Sequence, residues 1–198
     1  MSGPAYTRLG VDERRRRLLA LGADLFARFS YDELSMARIA REAGISKALL
    51  YHYFPGKQAY FAATLAEKAA ELSALTEPDP SLPPVEQLTA SLGTFLGWVE
   101  DNREAYGKLV RSAAAIPEVR EVVDRVRDAT SARILDGIAP DGPQPALRTA
   151  VRAWLWFMDG AILDWVEHGD LTREQLKGLL LGTLMGAAKA SGTPMPAG

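Results

Sequence analysis

Apolar residues recur at three- and four-residue intervals along almost the whole chain, and no run of β-branched residues alternates between hairpin turns. Intervals of three and four place side chains on one face of a helix, whereas a half-buried strand needs an interval of two. The expected fold is therefore all-α. Leu18, Leu21, Leu25 and Phe29 form the buried stripe of a first helix over 12–29, with Arg14 to Arg17 on its outer face. Pro55-Gly56 breaks the chain before a long helix over 57–75, and TEPDPSLPP is too rich in proline to be anything but a connector. Further helices are expected over 84–101, 103–114, 117–138, 145–168 and 172–190, with SGTPMPAG as a frayed tail.

Between the first helix and Pro55 lie two much shorter ones. Ser35 is a good N-cap, and Ile39, Ala40 and Ala43 are the buried positions of a helix that stops at Gly44, where a left-handed residue costs little. Ser46 caps the next helix, 47–53, in which Leu50 and Phe54 point inward. Two short helices joined by the tight turn AGIS form a helix-turn-helix, and its second helix is narrow enough for the major groove of DNA. Lys47 can donate to guanine, Ala48 can touch a thymine methyl, and Tyr51 can do apolar or hydrogen-bonding work, so these are base-reading candidates. His52, Tyr53 and Lys57 suit phosphate oxygens, as does Ser35 with the free N–H groups it precedes.

Charge divides in the same place. The whole chain carries a net charge of −2, yet residues 1–68 hold 11 Lys and Arg against 7 Asp and Glu, a balance of +4, and the remainder holds 12 against 18, a balance of −6. A basic first third and an acidic remainder make sense if only the first part meets a phosphate backbone.

The stretch RRLLALGADLFARFSYDELSMARIAREAGISKALLYHYFPGKQAYFAATL resembles the DNA-binding domain of the TetR family of bacterial transcriptional regulators, with GISKALLYHYFPGK its most specific portion. The likeness covers roughly 14–65. It implies DNA contacts at Ser35, Lys47, Ala48, Tyr51, His52, Tyr53 and Lys57, a helix-turn-helix domain over 1–60, and a helical ligand-binding and dimerisation domain over 61–198. Two departures stand out. Ser30 occupies a position usually held by glycine, which costs about 1 kcal/mol if the left-handed conformation is kept. Ala48-Leu49 replaces a small glycine-threonine type of pair, which bears on base preference.

In the larger part, Trp154, Phe157, Met158, Ala161, Ile162 and Trp165 share one broad side of the eighth helix. With Phe95, Trp98 and Val99 of the fifth helix and Tyr106 and Leu109 of the sixth, Trp154, Phe157 and Met158 are candidates for a pocket holding an apolar or aromatic effector, anchored by Tyr106 or a Trp N–H. The opposite side of the eighth helix carries Trp156, Gly160 and Leu163, and the ninth repeats glycine at 178, 182 and 186. These second faces fit a four-helix dimer interface built from Trp156, Gly160, Leu163, Gly178, Gly182 and Gly186. Asp159 lies near Arg148 and Arg152 on the helical wheel and is expected to pair with them, and His168 reads as a solvated helix end.

Catalysis lacks its parts. There are two histidines and no cysteine, and no HExxH, Glu-x-x-His, GxSxG or P-loop sequence, so no enzyme activity, metal or cofactor is expected. MSGPAYTRLG has no apolar run of a signal peptide, and no segment reaches the roughly 18 apolar residues of a membrane span, so the cytoplasm is the expected location. The function expected is that of a ligand-responsive repressor binding a palindromic operator as a homodimer. The alternatives are a constitutive DNA-binding dimer without a pocket and a helix-turn-helix that engages protein.

Overall fold

The computed structural model describes residues 10–192, apart from the side chains of 112–114, and every regular element among them is α-helical. The expected tail lies, from residue 193 onward, outside the described residues, as does the start of the chain before Gly10. The helices are α1 (Val11–Arg28), α2 (Met36–Glu42), α3 (Lys47–Tyr53), α4 (Lys57–Leu75), α5 (Pro84–Asp101), α6 (Arg103–Ala115), α7 (Pro117–Ile138), α8 (Pro145–His168) and α9 (Arg173–Ala190). Their starts follow from local chemistry. Proline, whose missing N–H costs nothing in a first turn, opens α5, α7 and α8. Thr172 and Gln175 form a reciprocal capping box at α9.

The chain divides into two compact units, Met1–Lys68 and Ala69–Gly198, and the division falls inside α4. In the first unit Leu18, Leu25, Leu34, Ile39, Leu50 and Phe54 are all but sealed from solvent. Burying one such side chain contributes about 1.5–3 kcal/mol, so this cluster is what holds helices as short as α2 and α3 in place. Tyr60 of α4 is fully buried beside them and donates its hydroxyl to the Leu18 carbonyl oxygen of α1. Burial drives its phenol pKa well above the usual range. The two helices approach closely because α1 has a glycine there: a Cβ on Gly22 would collide with Thr64 Oγ1 and lie 2.8 Å from the Tyr60 hydroxyl oxygen.

Ser30 does not adopt the left-handed conformation. Among the described residues only glycines have positive φ. The first helix instead ends in extended backbone at Phe29, φ −121°, and Ser30 donates both its N–H and its hydroxyl to the Glu33 carboxylate at 2.7 Å. The penalty attached to a glycine replacement therefore does not arise.

The second unit has its own core, drawn chiefly from α5, α8 and α9. Leu96, Leu147, Val151, Ile162, Leu180 and Leu184 are fully buried. Trp154 donates its indole N–H to the Leu180 carbonyl at 2.9 Å, and Trp165 donates to the Leu171 carbonyl at 2.8 Å. Both buried indoles thus satisfy their donors on backbone, as buried polar groups must.

Candidate nucleic-acid interface

Two serines set the geometry of the helix-turn-helix. Ser35 Oγ accepts from the Arg38 N–H at 3.2 Å, and Ser46 Oγ accepts from the Leu49 N–H at 3.1 Å, so each short helix has one otherwise orphaned donor satisfied. Between them Gly44 takes φ +64°, while Gly44 N–H donates to the Arg41 carbonyl and Ile45 N–H to the Ala40 carbonyl. That pair of bonds is a Schellman motif, and Ile45 seals it by packing against the core.

α3 is held from one side only. Leu50 and, just beyond its end, Phe54 are buried, whereas Lys47, Ala48, Tyr51 and His52 are exposed together. The Lys47 ammonium lies 5.7 Å from the centre of the Tyr51 ring. Tyr53 is half-buried: it packs against the core and meets His52 edge-on with ring centres 5.6 Å apart. Lys57 is half-buried too, and donates to the Tyr31 carbonyl at 3.0 Å. Ser35 is exposed at the start of α2. One residue escapes a reading of the sequence: Arg38, whose guanidinium lies 3.9 Å from the centre of the Phe29 ring and whose Nε is buried without a hydrogen bond. Its placement depends on a ring from the end of the preceding helix, which spacing within α2 does not reveal.

In the second unit the eight pocket candidates are divided between core and surface. Val99, Tyr106 and Trp154 belong to the buried cluster, Phe95, Trp98 and Met158 pack against it, Leu109 is half-buried, and Phe157 is 42 % exposed. Phe95 meets Tyr106 edge-on at 6.1 Å. Two open grooves lie elsewhere. One, of about 650 Å³, runs between α5 and α9 along Ala90, Gly93, Gly97, Arg173 and Lys177; the other, of about 300 Å³, lies between α7 and α8.

Asp159 corrects the helical-wheel expectation. Its partner is Arg127 of α7, whose Nε and Nη2 donate to Asp159 Oδ2 at 2.9 and 2.6 Å, while Arg152 pairs with Asp128 at 3.1 Å. A wheel shows only neighbours on the same helix, and the nearest cation to Asp159 comes from another. The Tyr106 hydroxyl reaches the other carboxylate oxygen at 3.4 Å, and its phenol pKa is pushed far up by burial, with the neighbouring Asp159 charge adding to the effect. Arg127 in turn lies 4.0 Å from the centre of the Trp156 ring.

Of the six residues assigned to a dimer face, Trp156 is 64 % exposed, Leu163 is half-buried, and Gly160, Gly178, Gly182 and Gly186 are exposed. Beyond its own helical backbone and chain neighbours, a Cβ on any of these four glycines meets no atom of the described residues within 4 Å. His168, at the end of α8, lies with Nδ1 3.1 Å from the Asp164 carbonyl oxygen. Among the described residues no helix is long and apolar enough to cross a membrane.

Residues 18–64 match the family described as "Bacterial regulatory proteins, tetR family", and residues 84–187 match "Tetracyclin repressor-like, C-terminal domain". The crystal structure of a tetR-family transcriptional regulator from Streptomyces coelicolor is 30 % identical, with a TM-score of 0.79, over 92 % of this chain and 83 % of its own. The HTH-type transcriptional regulator HbdR of Aromatoleum sp. (strain CIB) is 26 % identical over 134 residues, so that 64 % of this chain covers little more than half, 56 %, of that regulator. The HTH-type transcriptional activator FasR of Mycolicibacterium smegmatis is 28 % identical over 152 residues, 74 % of this chain and 68 % of its own length. These relatives are regulators, not enzymes.

Proposed function

The chain belongs to the TetR family of bacterial transcriptional regulators, and we propose that it binds a palindromic operator in double-stranded DNA as a cytoplasmic homodimer and represses transcription there. The observation that carries this reading is α3 itself, which is anchored through Leu50 and Phe54 and leaves Lys47, Ala48, Tyr51 and His52 exposed on one short helix. Lys47 and Tyr51 read bases, and Ser35, His52, Tyr53 and Lys57 position the backbone. Operator binding is assigned to 1–60, and effector response and dimerisation to 61–198.

The dimer reading is supported by the glycines of α8 and α9. Each costs about 1 kcal/mol relative to alanine inside a helix, and among the described residues no other element comes within 4 Å of where a Cβ would stand. A second copy approaching that face gives the small residues a reason. Repression needs only a tight dimer over a promoter. FasR is named an activator, so the sign is an outcome of the experiment.

The experiment is selection of DNA fragments by the purified protein, followed by Lys47→Ala on the site recovered. Lys47→Ala is expected to cost about 1–3 kcal/mol and to relax selection at one position per half-site. Uniform weakening with the preferred sequence intact makes Lys47 a phosphate contact instead. A reporter driven from the recovered site then gives the sign. A second reading, a constitutive dimer without an effector, is favoured by the burial of Val99, Tyr106 and Trp154 in the core; it requires operator affinity to be indifferent to small molecules.

A further inference from the structure

The segment 29–35 joins α1 to α2, and its two aromatic rings hold cations from three helices. Arg28 of α1 and Arg38 of α2 converge on Phe29, their guanidinium carbons 5.4 and 3.9 Å from the ring centre. Lys57 of α4 lies 3.9 Å from the centre of the Tyr31 ring. Phe29 is itself packed against the core of the first unit, so the ring that places both arginines is fixed.

Arginines elsewhere in the chain are held by acids. Arg16 and Arg17 both meet Glu13, and in the second unit Arg103, Arg127, Arg133, Arg152 and Arg173 each meet a carboxylate. Neither Arg28 nor Arg38 makes an ion pair among the described residues, although Asp24 stands four residues before the first and Glu42 four after the second. Arg28 Nε donates instead to the Asp24 carbonyl oxygen at 3.4 Å, and Arg38 Nε is buried without a partner. A carboxylate holds an arginine and cancels its charge, whereas a ring holds it and leaves the charge in place. Two like charges drawn to one ring also repel, and an anion beside them relieves that repulsion.

Continuity with the DNA-facing residues names the anion. The Arg38 N–H donates to Ser35 Oγ, and Lys57 holds the next ring along the same connector, so the arginine pair borders two residues already assigned to the DNA backbone. Resting on the reading of the first unit as an operator-binding domain, we propose that Arg38, placed by Phe29 and reinforced by the charge of Arg28, binds a DNA backbone phosphate next to the one met by Ser35. The Nη1 and Nη2 ends of a guanidinium form a planar donor pair that matches two phosphate oxygens. Stacking on Phe29 orients that pair before DNA arrives, so less side-chain freedom is lost on binding. Phe29 is thus a positioning residue. A phosphate contact reads no base, and its contribution is the same on every sequence.

The test is fluorescence anisotropy of the full chain, over a range of salt concentrations, on the duplex that the parent protein selects and on an unrelated duplex of the same length. Arg38→Gln is expected to weaken both by a similar factor and to reduce the slope of log affinity against log salt by about one contact per protomer. Arg38→Lys keeps the charge but loses the fork and the flat stack, so its slope stays at the parent value while its affinity falls several-fold. Phe29→Leu does the same from the other side, because the charge remains and its placement is lost. Substituting single phosphates of the selected duplex by neutral methylphosphonates should reveal one position per half-site that matters to the parent and not to Arg38→Gln. A parent-like slope in Arg38→Gln overturns the proposal. So does an equal loss of slope in Arg38→Lys, which makes the effect one of structure and not of charge. Both outcomes leave the parent binding DNA, whereas a parent that binds neither duplex overturns the operator reading and this contact with it.

Discussion

The Lys57 ammonium donates to the Tyr31 carbonyl oxygen at 3.0 Å and lies 3.9 Å from the centre of the same residue's ring. A side chain that sequence assigns to phosphate thus also ties the start of α4 to the segment between α1 and α2. The two roles are compatible, because an ammonium has three donors and the carbonyl takes one.

Lys57→Ala is therefore expected to do two separable things. Thermal or denaturant unfolding should show a loss of about 1 kcal/mol from the broken hydrogen bond. Operator binding should weaken by a similar factor on all sequences, with the slope of log affinity against log salt reduced by about one contact. A drop in stability with an unchanged salt slope assigns Lys57 to the scaffold alone.

The positions of the helices were legible because the chain marks them with residues of strong local chemistry. Ser35 and Ser46 cap, Gly44 turns, and Pro84, Pro117 and Pro145 each open a helix. The outward side of α3 was legible for the same reason, since Leu50 and Phe54 fix its rotation. What spacing cannot supply is a partner on another helix. Arg127 and Asp159 are 32 residues apart, Lys57 and Tyr31 are 26 apart, and neither pair follows from a periodicity. The glycine-like reading of Ser30 fails on a different ground. It presumes a left-handed residue, whereas Glu33 offers the Ser30 N–H and hydroxyl an acceptor that needs only extended backbone.

Gly22 gives the second prediction. Alanine is ordinarily better than glycine in a helix by about 1 kcal/mol, but here its Cβ would collide with Thr64 Oγ1 and crowd the Tyr60 hydroxyl, which is fixed on the Leu18 carbonyl. Overpacking of this kind costs about 1–3 kcal/mol, so Gly22→Ala should lower stability in equilibrium unfolding. In a Thr64→Ala background the penalty should shrink, because the nearest obstructing atom is gone. A stabilised Gly22→Ala protein would show that α1 and α4 simply move apart.

His168 makes a prediction about pH. Its backbone contact to Asp164, and secondarily the Asp164 charge at 3.4 Å, raise its pKa above the ordinary 6.5. A raised folded-state value means the protonated ring is favoured by folding. Its contribution is fully present below about 6.5 and is lost as pH rises through the folded value. The side chain is 57 % exposed, so the effect on stability is small and the direct readout is NMR titration. The chain has only two histidines, so the second resonance belongs to His52. Asp164→Asn should lower the His168 value only in part, because the backbone carbonyl remains; no change at all would remove the charge contribution.

The last prediction concerns Gly182, which lies exposed in the middle of α9 with open space where a side chain would be, on the same face as Gly178 and Gly186. Within one chain, Gly182→Leu should therefore be harmless or mildly stabilising, since leucine is the better helix former by nearly 1 kcal/mol and its Cβ would have no atom of another described element within 4 Å. In a homodimer packed through that face, each protomer brings the same position to the interface, so a single substitution introduces two leucine side chains where two backbones approach. The two measurements then move in opposite directions. Light scattering should report monomers where the parent protein gives dimers, while unfolding at low concentration should show a monomer at least as stable as the parent's. Operator affinity should fall far more than any one contact allows, because two linked half-site readers lose their effective concentration on separation. If Gly182→Leu remains dimeric and binds operator like the parent, the glycine face of α9 is not the interface.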